Sequence, residues 1–233
     1  MKTVTYVDRR GWKLDAERTA KALGAGIAAL ALGWLACGDA PSEGSPAPRP
    51  VVAVPEAGAV REVAALEVKG MGEIRIELLA DVAPLTAVHF RTLAAEGFYD
   101  GTTFHRVVPG FMIQGGDPNT RDRDPRNDGL GGKERRVPDE RPAVSHVRGI
   151  VSLAHRAAPN SGGTQFFIVM ADARHLDGQY AVFGRVVSGM ELADRIAAVE
   201  RDVYGRHGPE ERPLVDVVIE RVRIEPGAGR AEP

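Results

Sequence analysis

The feature that most constrains the fold is a series of short apolar runs separated by glycine, proline and polar residues. About eight such runs, alternating or rich in β-branched residues, lie between residues 63 and 224, and only two stretches have helical spacing. The runs occupy residues 63–68, 73–79, 103–107, 111–114, 150–154, 165–170, 181–187 and 215–224. Closing such a sheet on itself removes its exposed edges. The sequence therefore predicts a mainly β fold, a closed eight-stranded antiparallel β-barrel capped by two α-helices.

Local signals place the turns and the helices. Gly70-Met71-Gly72, between the first two runs, predicts a β-hairpin. Pro84 suits the first turn of one helix, because its missing N–H needs no partner there. Ser188 and Glu191 have the spacing of a capping box, which predicts a second helix that ends near Val199.

Charge and composition exclude several classes of function. The 233 residues carry 30 Lys plus Arg against 32 Asp plus Glu, a net charge of −2, which provides no positive field for nucleic acid. The single cysteine excludes an internal disulfide, and the six histidines lack the spacing of a metal site. Residues 119–139 mix both charges and predict a solvated loop. We expect no metal, no cofactor and no nucleic-acid partner.

The first 60 residues have a different character from the rest. A basic lead is followed by the uncharged run 22–36, which is shorter than the roughly 20 residues that span a bilayer. The run ends at Cys37, and this end resembles the lipobox of bacterial lipoproteins, apart from Trp34. Ordinary signal cleavage and an uncleaved anchor are the alternatives, and Arg9-Arg10 gives a weaker hint of a twin-arginine signal.

Four segments follow from these patterns. Residues 1–37 are predicted to be a signal sequence, 38–61 a tether rich in Pro, Ala and Gly, 62–225 the folded domain and 226–233 a flexible tail. The protein is expected to be exported to the cell envelope or periplasm of a bacterium. We expect it to be a monomer that meets the membrane only through a lipidated Cys37.

Two motifs place polar side chains beside apolar ones. In the first, residues 104–117, Arg106 and Gln114 flank a run of aromatic and aliphatic residues. In the second, residues 159–168, Gln165 and Phe167 are two positions apart, and strand alternation puts them on one face. A guanidinium and carboxamides next to an apolar surface would suit a binding site, because such a pairing costs desolvation. The local pattern is equally that of an arginine whose stem covers the edge of the core while its guanidinium reaches water.

These motifs, with residues 176–184, closely resemble the cyclophilin family of peptidyl-prolyl cis-trans isomerases. The resemblance covers roughly residues 63–225 and implies an eight-stranded barrel with its site on the outer face. It implies that Arg106, Phe111 and Gln114 are catalytic. Residues expected to bind substrate are Met112, His155, Arg156, Ala157, Gln165, Phe167, His175, Leu176 and Tyr180. The resemblance implies Pro-containing polypeptides as substrates, with exported proteins assisted in folding.

Three positions depart from the family pattern. His175 stands where many members have tryptophan, at a position that contributes to cyclosporin binding, and Tyr180 stands where many have histidine. His155-Arg156 replaces smaller or different residues where the family lays the substrate backbone. The alternative function is a scaffold that binds Pro-containing segments without catalysis being its main use.

The N-terminal pattern yields a direct test. Mass spectrometry of the mature protein is expected to show an N-terminal, diacylated Cys37, because a lipobox cysteine becomes both the lipid attachment point and the first residue. An intact Met1, or an unmodified N-terminus beyond Cys37, would contradict the lipoprotein interpretation.

Overall fold

The structure is a computed structural model that describes residues 6–7, 13–14 and 61–227. The two short N-terminal segments, β1 (Tyr6–Val7) and β2 (Lys13–Leu14), pair antiparallel. The rest of the predicted signal sequence with Cys37, the tether up to residue 60 and the tail beyond residue 227 lie outside the described residues. None of the described helices is long and apolar enough to cross a membrane.

An eight-stranded antiparallel sheet dominates residues 61–227. Its strands are β3 (Val63–Val68), β4 (Gly72–Leu78), β5 (Phe104–Val108), β6 (Met112–Gly115), β7 (Ile150–Leu153), β8 (Phe166–Val169), β9 (Val182–Ser188) and β12 (Ile219–Glu225). Two helices accompany the sheet, α1 (Pro84–Ala95) and α2 (Met190–Ala197). A separate pair of two-residue strands consists of β10 (Arg201–Asp202) and β11 (Arg212–Pro213). The order across the sheet is β12-β3-β4-β9-β7-β8-β6-β5. The mainly β class and the two helices match the prediction.

The sheet curls but does not close, so the prediction of a closed barrel is wrong on this point. Its edge strands β5 and β12 meet only through an isolated bridge between Thr103 and Val218 and through neighbouring backbone bonds. Further along β5, the Val107 N–H donates to the Glu211 carbonyl at 2.8 Å, so the loop before β11 takes the place of a strand. A register shift between Ile219 and Arg221 also interrupts β12 where it would have to follow β5.

Aromatic packing fills the space that the curled sheet encloses. Phe90 of α1 lies 4.9 Å from the ring centroids of both Tyr99 and Phe183, and Phe166 of β8 meets it edge to face at 5.4 Å. All four side chains are fully buried. Such rings each bury on the order of 150–250 Å² and leave no room for a ligand. A binding site must therefore lie on the outer face of the sheet.

The start of α2 differs from the predicted capping box. Ser188 is the last residue of β9, and the N-cap is Gly189, with φ 89° and no side-chain cap. A Cβ at Gly189 would lie 2.4 Å from the Glu73 carbonyl oxygen of β4. Close approach of β4 thus requires glycine at this position, and the helix gains no hydroxyl cap. The helix ends at Ala197 rather than near Val199.

This contact makes Gly189→Ala costly. We expect the substitution to lower the free energy of unfolding by about 3 kcal/mol. It forces alanine into a left-handed backbone conformation and also creates a clash with the Glu73 backbone. Gly70→Ala is the matched control, because Gly70 has φ 70° but nothing within 4 Å of its Cβ position. The control should lose only about 1 kcal/mol in urea unfolding followed by circular dichroism. Equal losses in the two variants would contradict the packing argument.

Candidate active site

Four side chains form a row across four neighbouring strands. Arg106 of β5 pairs with Gln114 of β6, Gln114 pairs with Phe167 of β8, and Phe167 pairs with Ser152 of β7. Residues paired directly across strands point to the same face. Because the adjacent Phe166 belongs to the enclosed core, this row points outward. The register of the sheet therefore brings together residues that are up to 61 positions apart in the sequence, from Arg106 to Phe167.

A pocket of about 260 Å³, here called the main pocket, opens beside this row. Its lining comprises Arg106, Phe111, Met112, Gln114, Ala154, His155, Phe167, Leu176 and Tyr180. Met112, Phe167 and Leu176 are 3%, 5% and 9% exposed and form its apolar floor. They belong to a second hydrophobic cluster, distinct from the aromatic core. The main pocket therefore has a rigid apolar base and a polar edge.

Arg106 stands exposed at the edge of the main pocket. Among residues 61–227 no carboxylate forms an ion pair with it, and no side chain is within hydrogen-bond geometry of its guanidinium. Within this part of the chain its donors are thus directed to no internal partner. A guanidinium keeps its charge at any working pH and holds its donors in a planar fork. It can therefore act on a ligand that enters the pocket.

Gln114 is held in place by a chain of hydrogen bonds. Its Nε2 donates to Gln165 Oε1 at 2.9 Å, and Gln165 Nε2 donates to the Gly131 carbonyl at 3.1 Å and to Asp117 Oδ2 at 3.3 Å. Asp117 is fully buried and also accepts from the backbone N–H of Asn119. With its amide nitrogen engaged, Gln114 presents Oε1 to the main pocket as an acceptor.

Asp117 is a supporting residue that the sequence prediction did not include. It ends the motif at residues 104–117, directly after Gly115-Gly116, where the chain turns away from β6. A carboxylate immediately after such a turn is the signal that could have identified it, because short polar side chains after turns often cap backbone N–H groups. Ala154, which lines the main pocket, has no distinguishing sequence signal.

The other predicted binding residues lie around the main pocket at different distances. His175 stacks on Phe111 with ring centroids 5.6 Å apart. Tyr180 meets Phe167 edge to face at 5.4 Å, and its ring is tilted by 30° from that of His155, with centroids 4.4 Å apart. Gln165 and Arg156 line an adjoining side pocket of about 170 Å³, which shares Gln114, Ala154 and His155 with the main pocket. Ala157 is exposed and lines neither pocket.

The loop at residues 119–139 is less solvated than predicted. Asp128 is buried and forms an ion pair with Arg212 at 2.6 Å, which ties the loop to β11. Gly131 of the same loop supports Gln165 as described above. The mixed charges are therefore used partly for internal pairing. A larger cavity of about 580 Å³ lies between this loop and residues 205–209, and it contains none of the predicted site residues.

The family follows from comparison with known proteins. The sequence model of the family described as "Cyclophilin type peptidyl-prolyl cis-trans isomerase/CLD" matches residues 63–224, which is more than half of the chain. The chain is a cyclophilin. It is accordingly a peptidyl-prolyl cis-trans isomerase, an enzyme that acts on Pro-containing peptides.

Several relatives agree with this assignment. Peptidyl-prolyl cis-trans isomerase CYP18-1 of Arabidopsis thaliana is 40% identical over 159 residues, which cover 66% of this chain and 91% of that protein. A peptidyl-prolyl cis-trans isomerase of Acinetobacter baylyi is 35% identical over 161 residues, covering 66% and 81%. A Cryptosporidium parvum cyclophilin, crystallised in the presence of the dipeptide Ala-Pro, superposes with a TM-score of 0.61 and 30% identity, covering 70% of this cyclophilin and 98% of that chain.

His105, next to Arg106 on β5, is buried at the bulge of this strand. It is 3% exposed and lies close to the Asp117 carboxylate and to Gln165. Burial lowers its pKa to about 4, although the Asp117 carboxylate acts in the opposite direction. In the unfolded chain the pKa of His105 has its ordinary value of 6.5, so the unfolded chain binds a proton at a pH where the folded chain does not. Stability therefore falls as the pH drops from 6.5 to about 4.

His105→Phe tests this linkage. Because phenylalanine keeps a planar ring of similar volume in the same buried space, we expect the free energy of unfolding at pH 7 to change by less than about 1.5 kcal/mol. Between pH 6.5 and 4 the variant should lose about 3 kcal/mol less than the parent chain. Urea unfolding across this pH range measures both effects. An unchanged pH dependence in the variant would show that His105 titrates normally.

Proposed function

We propose that isomerisation takes place in the main pocket, with Arg106 stabilising the twisted transition state of the X-Pro bond. The observation that carries this proposal is the row in which a guanidinium with no ion-pair partner in residues 61–227, the oriented amide of Gln114 and the buried ring of Phe167 lie side by side. A proline ring suits the apolar floor formed by Met112, Phe167 and Leu176.

The reaction needs no covalent bond to the protein. Resonance in the planar imide creates a barrier of about 18–20 kcal/mol. In the twisted state the prolyl nitrogen becomes pyramidal and regains a lone pair, which accepts a hydrogen bond that the planar form accepts poorly. A fixed cationic donor thus lowers the energy of the transition state more than that of the ground state. Arg106 supplies this donor.

The remaining groups hold the substrate while one end rotates. The floor of the main pocket immobilises the ring and excludes water, which strengthens the contact with Arg106. Oε1 of Gln114, which accepts from no donor among residues 61–227, can accept from a substrate N–H. A rate gain of roughly 10⁵-fold requires about 7 kcal/mol, which one preorganised charge and fixed orientation supply together.

Location and assembly form a second part of the proposal. We infer that the chain is a bacterial protein, exported to the envelope or periplasm, anchored by a lipidated Cys37 and active there as a monomer on exported proteins. Support comes from the basic lead, the apolar run 22–36 and the small residue before Cys37. A tether of residues 38–61 then gives the isomerase domain reach from the membrane surface.

Substitution of Arg106 tests the catalytic proposal. Arg106→Ala should lower kcat/KM on a Pro-containing peptide by about 10²–10³-fold, as loss of one preorganised donor does elsewhere. Arg106→Lys keeps the charge without the fork and should fall between that variant and the parent. Arg221→Ala, which removes an exposed arginine of β12, is the control and should stay within about twofold.

Thermal unfolding of the same proteins checks that the variants are folded. Arg106 makes no internal ion pair in the described part of the chain, so its removal should leave the melting temperature almost unchanged. A folded Arg106→Ala protein with parental activity would remove Arg106 from the mechanism.

A further inference from the structure

A chain of three hydrogen-bonding side chains, two of them fully buried and the third half-buried, lies next to the main pocket and has no part in the mechanism above. Asp177 Oδ1 accepts from the His146 backbone N–H at 2.7 Å and lies 3.1 Å from His146 Nδ1. His146 Nε2 lies 3.0 Å from Ser152 Oγ. His146 and Ser152 are both fully buried.

Partner chemistry assigns the protons of this chain. A carboxylate only accepts, so Nδ1 of His146 carries the hydrogen and donates to Asp177. Nε2 is then the acceptor for the Ser152 hydroxyl. Burial lowers the pKa of His146, whereas the Asp177 carboxylate acts to raise it. Burial has the larger effect, so the ring is neutral near pH 7. The nearby His175 lowers this pKa further.

The chain is not a hydrolytic triad, despite its Ser-His-Asp composition. Ser152 has no exposed surface, and its hydroxyl faces His146 rather than the main pocket. A substrate carbonyl cannot reach a buried oxygen on a central strand. The role of the chain must therefore be exerted through the residues it contacts.

Those contacts reach two residues of the apolar floor of the main pocket, Phe167 and Leu176. Ser152 pairs with Phe167 across β7 and β8, and the His146 ring stacks parallel to Phe167, with centroids 6.2 Å apart and an angle of 16°. On the other side, Asp177 directly follows Leu176. The Ala173 backbone N–H donates to the His146 carbonyl at 2.7 Å, which anchors the turn that carries Leu176.

We propose that His146 is a positioning residue that holds Phe167 and Leu176 at the separation that grips a proline ring. Neutral His146 spans from Asp177 to Ser152 and links the turn at residues 174–176 to the sheet. Loss of the link allows Leu176 to move away from Phe167. The positions of Arg106 and Gln114, on β5 and β6, stay unchanged. The inference rests on the proposed function, because it assigns the main pocket to the proline ring.

The effect should appear in KM rather than in kcat. Asp177→Ala removes the acceptor and should raise KM for a Pro-containing peptide about tenfold, with kcat within about threefold of the parent. Asp177→Asn retains Oδ1 as an acceptor for both His146 groups and should restore KM to within about twofold. Asp172→Asn, an exposed neighbour paired with Arg174, is the control for surface charge.

Two further variants probe the histidine and the serine. His146→Phe keeps a ring against Phe167 but removes both hydrogen bonds, and Ser152→Ala removes one of them; both should raise KM. If His146→Phe fails to fold, the Asp177→Ala and Asp177→Asn pair still decides the question. Asp177→Ala that is less stable but has parental KM and kcat would show a purely structural role and overturn the proposal.

A spectroscopic measurement on the unmodified full chain provides an independent check. Long-range ¹H–¹⁵N NMR of the His146 ring should show the hydrogen on Nδ1 at pH 7. A hydrogen on Nε2 would contradict the assigned chain. Failure of this inference is distinguishable from failure of the proposed function, because Arg106→Ala acts on kcat/KM whether or not Asp177→Ala changes KM.

Discussion

The cross-strand register of β5, β6, β8 and β7 is the constraint on which the rest of the structure depends. It places Arg106, Gln114, Phe167 and Ser152 in one outward-facing row. A shift by one residue in any of these strands would turn its side chain into the aromatic core. The bulge of β5 between Phe104 and Arg106 directly precedes Arg106, so the direction of its guanidinium depends on this bulge.

A filled interior and a functional exterior are two consequences of the same alternation. Phe166 and Ile168 of β8 pack into the enclosed core, while Phe167 and Val169 belong to the outer cluster beneath the main pocket. The strand is therefore buried on both faces, and its side chains have little freedom to move. Rigid walls favour catalysis by orientation, because a proline ring held still leaves rotation to the other side of the bond.

Strand positions and the outward row could be predicted from the sequence, because alternation and family-like motifs are local. Three features could not, since each depends on contacts between distant segments. The sheet does not close into a barrel because the loop at Glu211 pairs with the edge of β5. The second helix has Gly189 rather than Ser188 as its N-cap, at a point where Glu73 of β4 leaves no space for a Cβ atom. The role of His146 depends on Asp177, 31 positions away, and no local pattern joins them.

Entry of a proline ring into the main pocket, beside Arg106, is the step on which the proposed mechanism depends. Titrating the ¹⁵N- and methyl-labelled full chain with an unlabelled Ala-Pro-containing peptide tests this most directly. We expect intermolecular NOEs from the proline ring to Met112, Phe167 and Leu176, with a large shift of the Arg106 Nε–H signal. Contacts confined to the larger cavity at residues 125–130 and 205–209 would contradict it.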